Sequence, residues 1–257
     1  MSQVTNLGLI CIRLVDENLD ALNCVSDPLH NEEVVHNLRV MTKRLRAAWK
    51  VVPDSESASG RKSALKELSA LLAGKRDIDV LINLAQQMAN IHPDAPFSTV
   101  VKSLEEQMPE PVTDQSGEAI RSILVDEKAA WSEVRFEGLE QTALRKAIRT
   151  SQNKARQAAR VAMVSTDPEE WHSWRKCVKT LRYQREFLAE IQNRSPGKWD
   201  ARISRLGSAL GARNDLANLT AIVESLGNHP GLRKAIAMEE RKVLGNCRRL
   251  GRRNLLA

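Results

Sequence analysis

The stretch His36-Asn37-Leu38-Arg39-Val40-Met41-Thr42-Lys43-Arg44-Leu45-Arg46 decides the reading of this chain, because its pattern returns in His172-Ser173-Trp174-Arg175-Lys176-Cys177-Val178-Lys179-Thr180-Leu181-Arg182. At 3.6 residues per turn, offsets of 0, 3, 7 and 10 fall within roughly a quarter of a helix circumference. Each copy therefore lines up one imidazole and three cations: His36, Arg39, Lys43 and Arg46, then His172, Arg175, Lys179 and Arg182. Like charges at i, i+3 and i+4 cost a helix a few tenths of a kcal/mol per pair, so a stripe written twice points to a polyanion that rewards it. A single stripe would read as an ordinary solvated face. With 39 Lys and Arg among 257 residues, two of five histidines sharing the pattern has a chance on the order of 1 in 10,000 from composition alone.

Two echoes strengthen the repeat. Each stripe follows an Asp-Pro pair, Asp27-Pro28 and Asp167-Pro168, the expected N-cap with proline at the first helical position. Each is followed further on by a glycine and an acidic turn: Leu72-Ala73-Gly74-Lys75-Arg76-Asp77 in the first half, Ala209-Leu210-Gly211-Ala212-Arg213-Asn214-Asp215 in the second. The chain reads as a duplicated helical unit.

Composition fits a helical, polyanion-binding protein. Hydrophobic residues make up 42% of the chain, enough for one large domain or two small ones, and aromatics only 4%, which favours helix packing over sheets. The net charge of +7 implies an acidic partner without choosing among nucleic acid, phosphate polymer and anionic membrane. Cys11, Cys24, Cys177 and Cys247 are far apart, suggesting small core residues of a reducing compartment, neither a zinc knuckle nor a disulfide framework. Residues 1–19 carry Arg13, Asp16 and Glu17 where a signal sequence needs apolar residues, and no stretch approaches membrane-spanning length, so a cytoplasmic location is expected.

Periodicity predicts about ten helices and no strand. They are expected at residues 5–24, 28–51, 61–72, 77–91 and 98–108, with a Ser-rich loop from Pro53 to Gly60 and a break at Gly74. Residues 109–117, with two prolines, Asp114 and Gly117, form the best linker. The boundaries are an N-terminal half 1–110, a linker 111–117 and a C-terminal half 118–257. The second half opens with one unbroken pattern over 118–164, followed by helices at 168–193, 198–209, 215–226 and 232–255, broken at Ser195-Pro196-Gly197, Gly211 and 228–231. Two helix bundles related by a pseudo-two-fold are the natural architecture.

Further cations extend the candidate site. Lys50 falls on the face of the first stripe, whereas the second has Glu186 there, placed to pair with Arg182 at i, i+4. Arg145, Arg149, Arg156 and Arg160 share one face of the predicted 118–164 helix, which an antiparallel hairpin would bring beside the second stripe. The cluster Arg241, Arg248, Arg249, Arg252 and Arg253 is adequately explained by complementing a helix dipole and aiding solubility, with ligand contact as the alternative.

The doubled His-x-x-Arg-x-x-x-Lys-x-Leu-Arg pattern, together with Arg76-Asp77-Ile78-Asp79-Val80, resembles the CHAD family, the conserved histidine α-helical domain, over essentially the whole chain. The resemblance implies an all-α fold in which two four-helix bundles face one another across a basic cavity that binds inorganic polyphosphate. Carried over by position, His36, Arg39, Lys43, Arg44, Arg46, His172, Arg175, Lys179 and Arg182 are the implied ligand-facing set, and Asp77 and Asp215 become orienting partners for arginines. Members typically place a Tyr and more cations where this chain has Ile148, Ser151 and Gln152, and many carry a second cation at Thr180. No triphosphate-tunnel signature Glu-x-Glu-x-Lys is present, so the chain resembles a stand-alone binding module, with no cofactor, metal or catalytic residue expected.

Three rivals remain at this stage. A phosphohydrolase needs clustered carboxylates, and the candidate pair, Asp77 with Asp79, falls on different faces of a helix. A nucleic-acid binder would stack bases on aromatics, yet only Tyr183 falls near a stripe, while Trp49, Trp171 and Trp174 fall off the basic face. A granule or scaffold protein would use the cations to steer a protein partner. For polyphosphate, affinity should fall steeply with salt and rise as pH falls from about 8 to 6.

Overall fold

The computed structural model describes residues 4–256 apart from 26, 54–55, 74, 109–113, 137–139 and 228. The protein is all-α: 83% of it is helical, with no strand among the described residues. The helices are α1 (Asn6–Cys24), α2 (Glu32–Ala48), α3 (Glu56–Leu71), α4 (Lys75–Ile91), α5 (Phe97–Glu106), α6 (Asp114–Glu133), α7 (Glu140–Ala162), α8 (Pro168–Ile191), α9 (Lys198–Ser225) and α10 (Pro230–Gly251), ending in a π-helical turn, Arg252–Leu256. They gather into two compact units that are discontinuous in sequence, and α7 and α8 each contribute to both.

The first unit comprises residues 1–73, 110–151 and 180–196. The α1 helix starts cleanly because Thr5 accepts from the Gly8 amide at 3.0 Å, and the Glu140 carboxylate accepts from the amides of Asn6 and Leu7. That carboxylate satisfies orphan N–H groups and complements the positive end of the helix. Gly8 lets α1 approach α6, since a Cβ there would sit 2.9 Å from the Trp131 carbonyl oxygen. Trp49 and Trp131 are buried with ring centroids 4.3 Å apart, and each such large side chain contributes roughly 1.5–3 kcal/mol by leaving water. Trp49 Nε1 donates to buried Glu127 at 2.8 Å. Burial, above all, pushes the Glu127 carboxyl up to about 7.

The second unit comprises residues 74–109, 152–179 and 197–257. Its core joins Leu81 and Met88 of α4, Phe97 and Val100 of α5, Leu216 and Leu219 of α9, and Leu232 and Ile236 of α10. Asp167 opens α8 as expected, accepting from the Glu169 amide at 2.8 Å. Gly251 allows the end of α10 to reach Trp174, where a Cβ would meet the ring at 2.6 Å and also collide with Met163 Cε.

Several expected boundaries are corrected. The first stripe helix is capped not by Asp27 but by Asn31, which accepts from Glu33 and Val34 amides at 3.0 and 3.1 Å. Asp27 is engaged by His30 Nδ1 at 2.6 Å instead. The predicted loop from Pro53 to Gly60 is already α3 from Glu56, and the linker's residues 114–117 begin α6, while its residues 109–113 lie outside the described ones. The unbroken 118–164 helix is two helices: the chain leaves helical geometry at 134–136, where Arg135 donates to the carbonyls of Ser132 and Val134 at 2.8 and 2.9 Å. Conversely, Gly211 does not break α9, which runs 28 residues. An interior glycine costs about 1 kcal/mol, less than burial of the flanking Leu210 and Leu216 returns. Of the cysteines, Cys11 and Cys247 are buried but Cys24 is exposed; burial pushes the Cys247 thiol up to about 12.

Candidate functional site: two cationic helix faces

The α2 stripe stands opposite a closed apolar face. Val34, Leu38, Met41 and Leu45 are at most 5% exposed, whereas His36, Arg46 and Lys50 are exposed and Arg39 and Lys43 half-buried. Arg39 is anchored by its guanidinium: Nη1 donates to the Leu72 carbonyl, 2.7 Å away, at the end of α3. A cation there also meets the negative end of α3. Lys50 Nζ donates to Thr180 Oγ1 at 3.1 Å. Thr180 thus holds the last cation of the first stripe.

The α8 stripe is more enclosed, with His172, Arg175, Lys179 and Arg182 all half-buried. His172 Nδ1 meets Asn214 Oδ1 at 2.6 Å, a contact that fixes the ring. Arg175 Nε lies 4.0 Å from where a Cβ on Gly211 would stand. Both echo segments lie near a stripe arginine: Leu72 accepts from Arg39, and Gly211 stands beside Arg175. Arg182 pairs with Glu186 at 3.3 Å, as the spacing predicts, and its guanidinium lies 4.6 Å over the Tyr183 ring.

Burial keeps the same register in both helices. Offsets 2, 6 and 9 from the histidine are buried, as Leu38, Thr42 and Leu45 in α2 and Trp174, Val178 and Leu181 in α8. Offset 11, just beyond the edge of the stripe's arc, is also buried, as Ala47 and Tyr183. Tyr183 is 3% exposed and offers no platform to a base, nor do Trp49, Trp171 and Trp174, each 2% exposed or less.

The remaining expected residues divide. Arg44 points away from the stripe: it pairs with Glu190 at 3.4 Å and stacks 5.3 Å over Phe187. Glu190 also holds Arg13, so Arg44 belongs to a packing network. Arg156 is half-buried and its Nε donates to the Leu255 carbonyl at 2.9 Å, fastening the terminal π turn. Arg145 and Arg149 are exposed on α7. The start of α7 does meet the end of α8, Gln192 donating to Gln141 at 3.5 Å. The carboxylate beside Arg213 is Glu240, at 3.8 Å; Asp215 instead lines a groove with Leu84 and Met88. Arg213 is 4% exposed, lies 5.5 Å over Trp171, and has its pKa lowered by burial. The partners Asn214 and Leu72 were invisible as partners in the sequence, although both lie in the echo segments. No helix among the described residues is long and apolar enough to cross a membrane.

These features define an all-α protein whose helices bury one face and present cations from the other. The family model for the CHAD domain matches residues 13–224, and the chain belongs to the CHAD family. The crystal structure of the CHAD domain from the plant Ricinus communis is similar in fold, with a TM-score of 0.60 and 18% identity, over 94% of this chain and 87% of that one. No curated protein matches the chain.

Proposed function

We propose that this protein binds inorganic polyphosphate along the cationic faces of α2 and α8 and does not act on it chemically. The observation that carries this reading is the separation on α2: Val34, Leu38, Met41 and Leu45 are buried, while His36, Arg46 and Lys50 are exposed. The line from His36 to Arg46 is about 15 Å long at 1.5 Å per residue, a linear array suited to a linear polyanion. Arginine forks grip two phosphate oxygens each, and lysine adds a compact charge. Anchoring Arg39 and Arg182 in advance reduces the ordering cost of binding. Burial of Trp49, Trp171, Trp174 and Tyr183 favours phosphate over single-stranded nucleic acid, which draws much of its affinity from stacking. The same reading makes the protein a cytoplasmic or granule-associated polyphosphate binder, with nucleic acid and protein partners secondary. Competition tests it: polyphosphate should displace bound RNA, and RNA of equal charge should fail to displace polyphosphate. Equal displacement in both directions would reduce the stripes to a general basic surface.

A further inference from the structure

The second unit contains a cavity of about 300 Å³ whose charged lining is entirely arginine. Arg202 and Arg205 enter from α9, Arg249 from α10 and Arg253 from the π turn, and no carboxylate lines it. It is not the stripe site. On α9, Gly207 and Gly211 face Val178 and Arg175 of α8, and Asn214 meets His172. At 100° per residue, Arg202 and Arg205 lie about 140–160° round the helix from Gly207.

The helix-dipole account of the C-terminal cluster does not explain this convergence. It covers Arg249 at the end of α10, but Arg202 and Arg205 stand in the first turns of α9, where the dipole gives cations no benefit. Arg248, adjacent in sequence, is used elsewhere, 5.8 Å over Trp171. A second observation comes from Asn254. It lines the cavity, is 8% exposed, and both its side-chain nitrogen and oxygen lack a hydrogen-bond partner. An unpaired buried amide costs roughly 1–3 kcal/mol, and a ligand or water ordered at this wall would offset that cost. Arg249 is already oriented, its Nη2 donating to Asn246 Oδ1 at 2.8 Å.

We propose that this cavity is a separate binding site for a compact condensed phosphate, free or as the end of a longer chain. The rest of the lining, Ser208, Ala209 and Leu250, adds a hydroxyl and a small apolar wall without an aromatic ring, so it offers nothing to a base. The volume is at the small end for small-molecule pockets. Four guanidiniums match an anion of about four charges, and their forks match tetrahedral oxygens. The site does not depend on the stripes binding polyphosphate.

Calorimetric titration of the full chain with sodium tripolyphosphate tests it, using the unsubstituted protein, Arg39→Ala/Arg175→Ala and Arg205→Gln/Arg253→Gln. Arg205 and Arg253 are exposed, so their replacement leaves the fold intact. The expected result is one equivalent bound, retained in the stripe variant and weakened about tenfold or more in Arg205→Gln/Arg253→Gln. Arg205→Lys/Arg253→Lys, which keeps charge but loses the forks, should lie between. Absence of stoichiometric binding, or binding unchanged by Arg205→Gln/Arg253→Gln, overturns the proposal. Repeating the titration with long-chain polyphosphate on the stripe variant separates the sources: residual binding that needs Arg205 and Arg253 assigns the cavity to chain ends, and its absence assigns it to free short chains.

Discussion

Replacing Glu127 by Gln should change how the stability of this protein depends on pH. Glu127 is fully buried, and burial, opposed by the Trp49 hydrogen bond and the nearby Arg61 charge, raises its pKa from an ordinary 4.5 to about 7. Below pH 4.5 the folded and unfolded states both hold the proton. Between 4.5 and 7 the unfolded chain releases it while the folded chain keeps it, so stability falls as pH rises. At about 1.4 kcal/mol per unit, the loss approaches 3 kcal/mol once pH exceeds 7. Glutamine keeps an oxygen for Trp49 Nε1, which donates to Glu127 at 2.8 Å, and removes the charge. Its NH₂ group would enter the place of Glu127 Oε1, which has no partner, at a cost of about 1 kcal/mol. The variant should therefore match or fall slightly below the parent at pH 5 and exceed it by about 2 kcal/mol at pH 8. Urea unfolding followed by tryptophan fluorescence at pH 5, 6, 7 and 8 measures this, and other titrating groups cancel in the difference between the two proteins. A difference that stays constant from pH 5 to 8, or runs the other way, would refute the reasoning.

Other outcomes follow from single contacts. Gly251→Ala drives a methyl into the Trp174 ring and Met163 and should cost about 1–3 kcal/mol by overpacking, read as a lower urea midpoint. Arg44→Ala should lower stability by about 1–2 kcal/mol through loss of the Glu190 pair and the Phe187 stack, yet leave polyphosphate affinity nearly unchanged, because Arg44 lies off the stripe. Arg213→Ala removes a guanidinium that is 4% exposed and stacked on Trp171, and thermal unfolding should register a loss of about 2–3 kcal/mol.

Helix existence was legible because the apolar period is strong: Val34, Leu38, Met41 and Leu45 recur at helical spacing opposite the stripe and are all core. Helix ends were less so, since they turn on which of several capping groups wins. Asp27-Pro28 and Asn31 both offer a cap, and His30 diverts Asp27, which no local rule encodes. The break after Glu133 depends on Arg135 turning back onto the carbonyls of Ser132 and Val134, and the continuity of α9 through Gly211 depends on tertiary burial overriding a weak local preference. The stripes themselves were readable from spacing alone. What spacing could not reveal is which cations the fold takes for its own use: Arg44 goes to Glu190 and Arg156 to Leu255. Nor could it bring Arg202 and Arg205 to Arg253, since their convergence arises only when α9 and α10 pack.

The most direct test of the central claim is calorimetric titration of the protein and its Arg39→Ala/Arg175→Ala variant with long-chain polyphosphate at two salt concentrations, beside ATP and RNA of matched charge. The account predicts tight binding selective for the long chain, weakened by the double substitution, with a log–log salt slope of about −0.7 for each phosphate neutralised and a shallower slope in the variant. Equal, weak and fully salt-screened binding of every polyanion, unchanged in the variant, would contradict it.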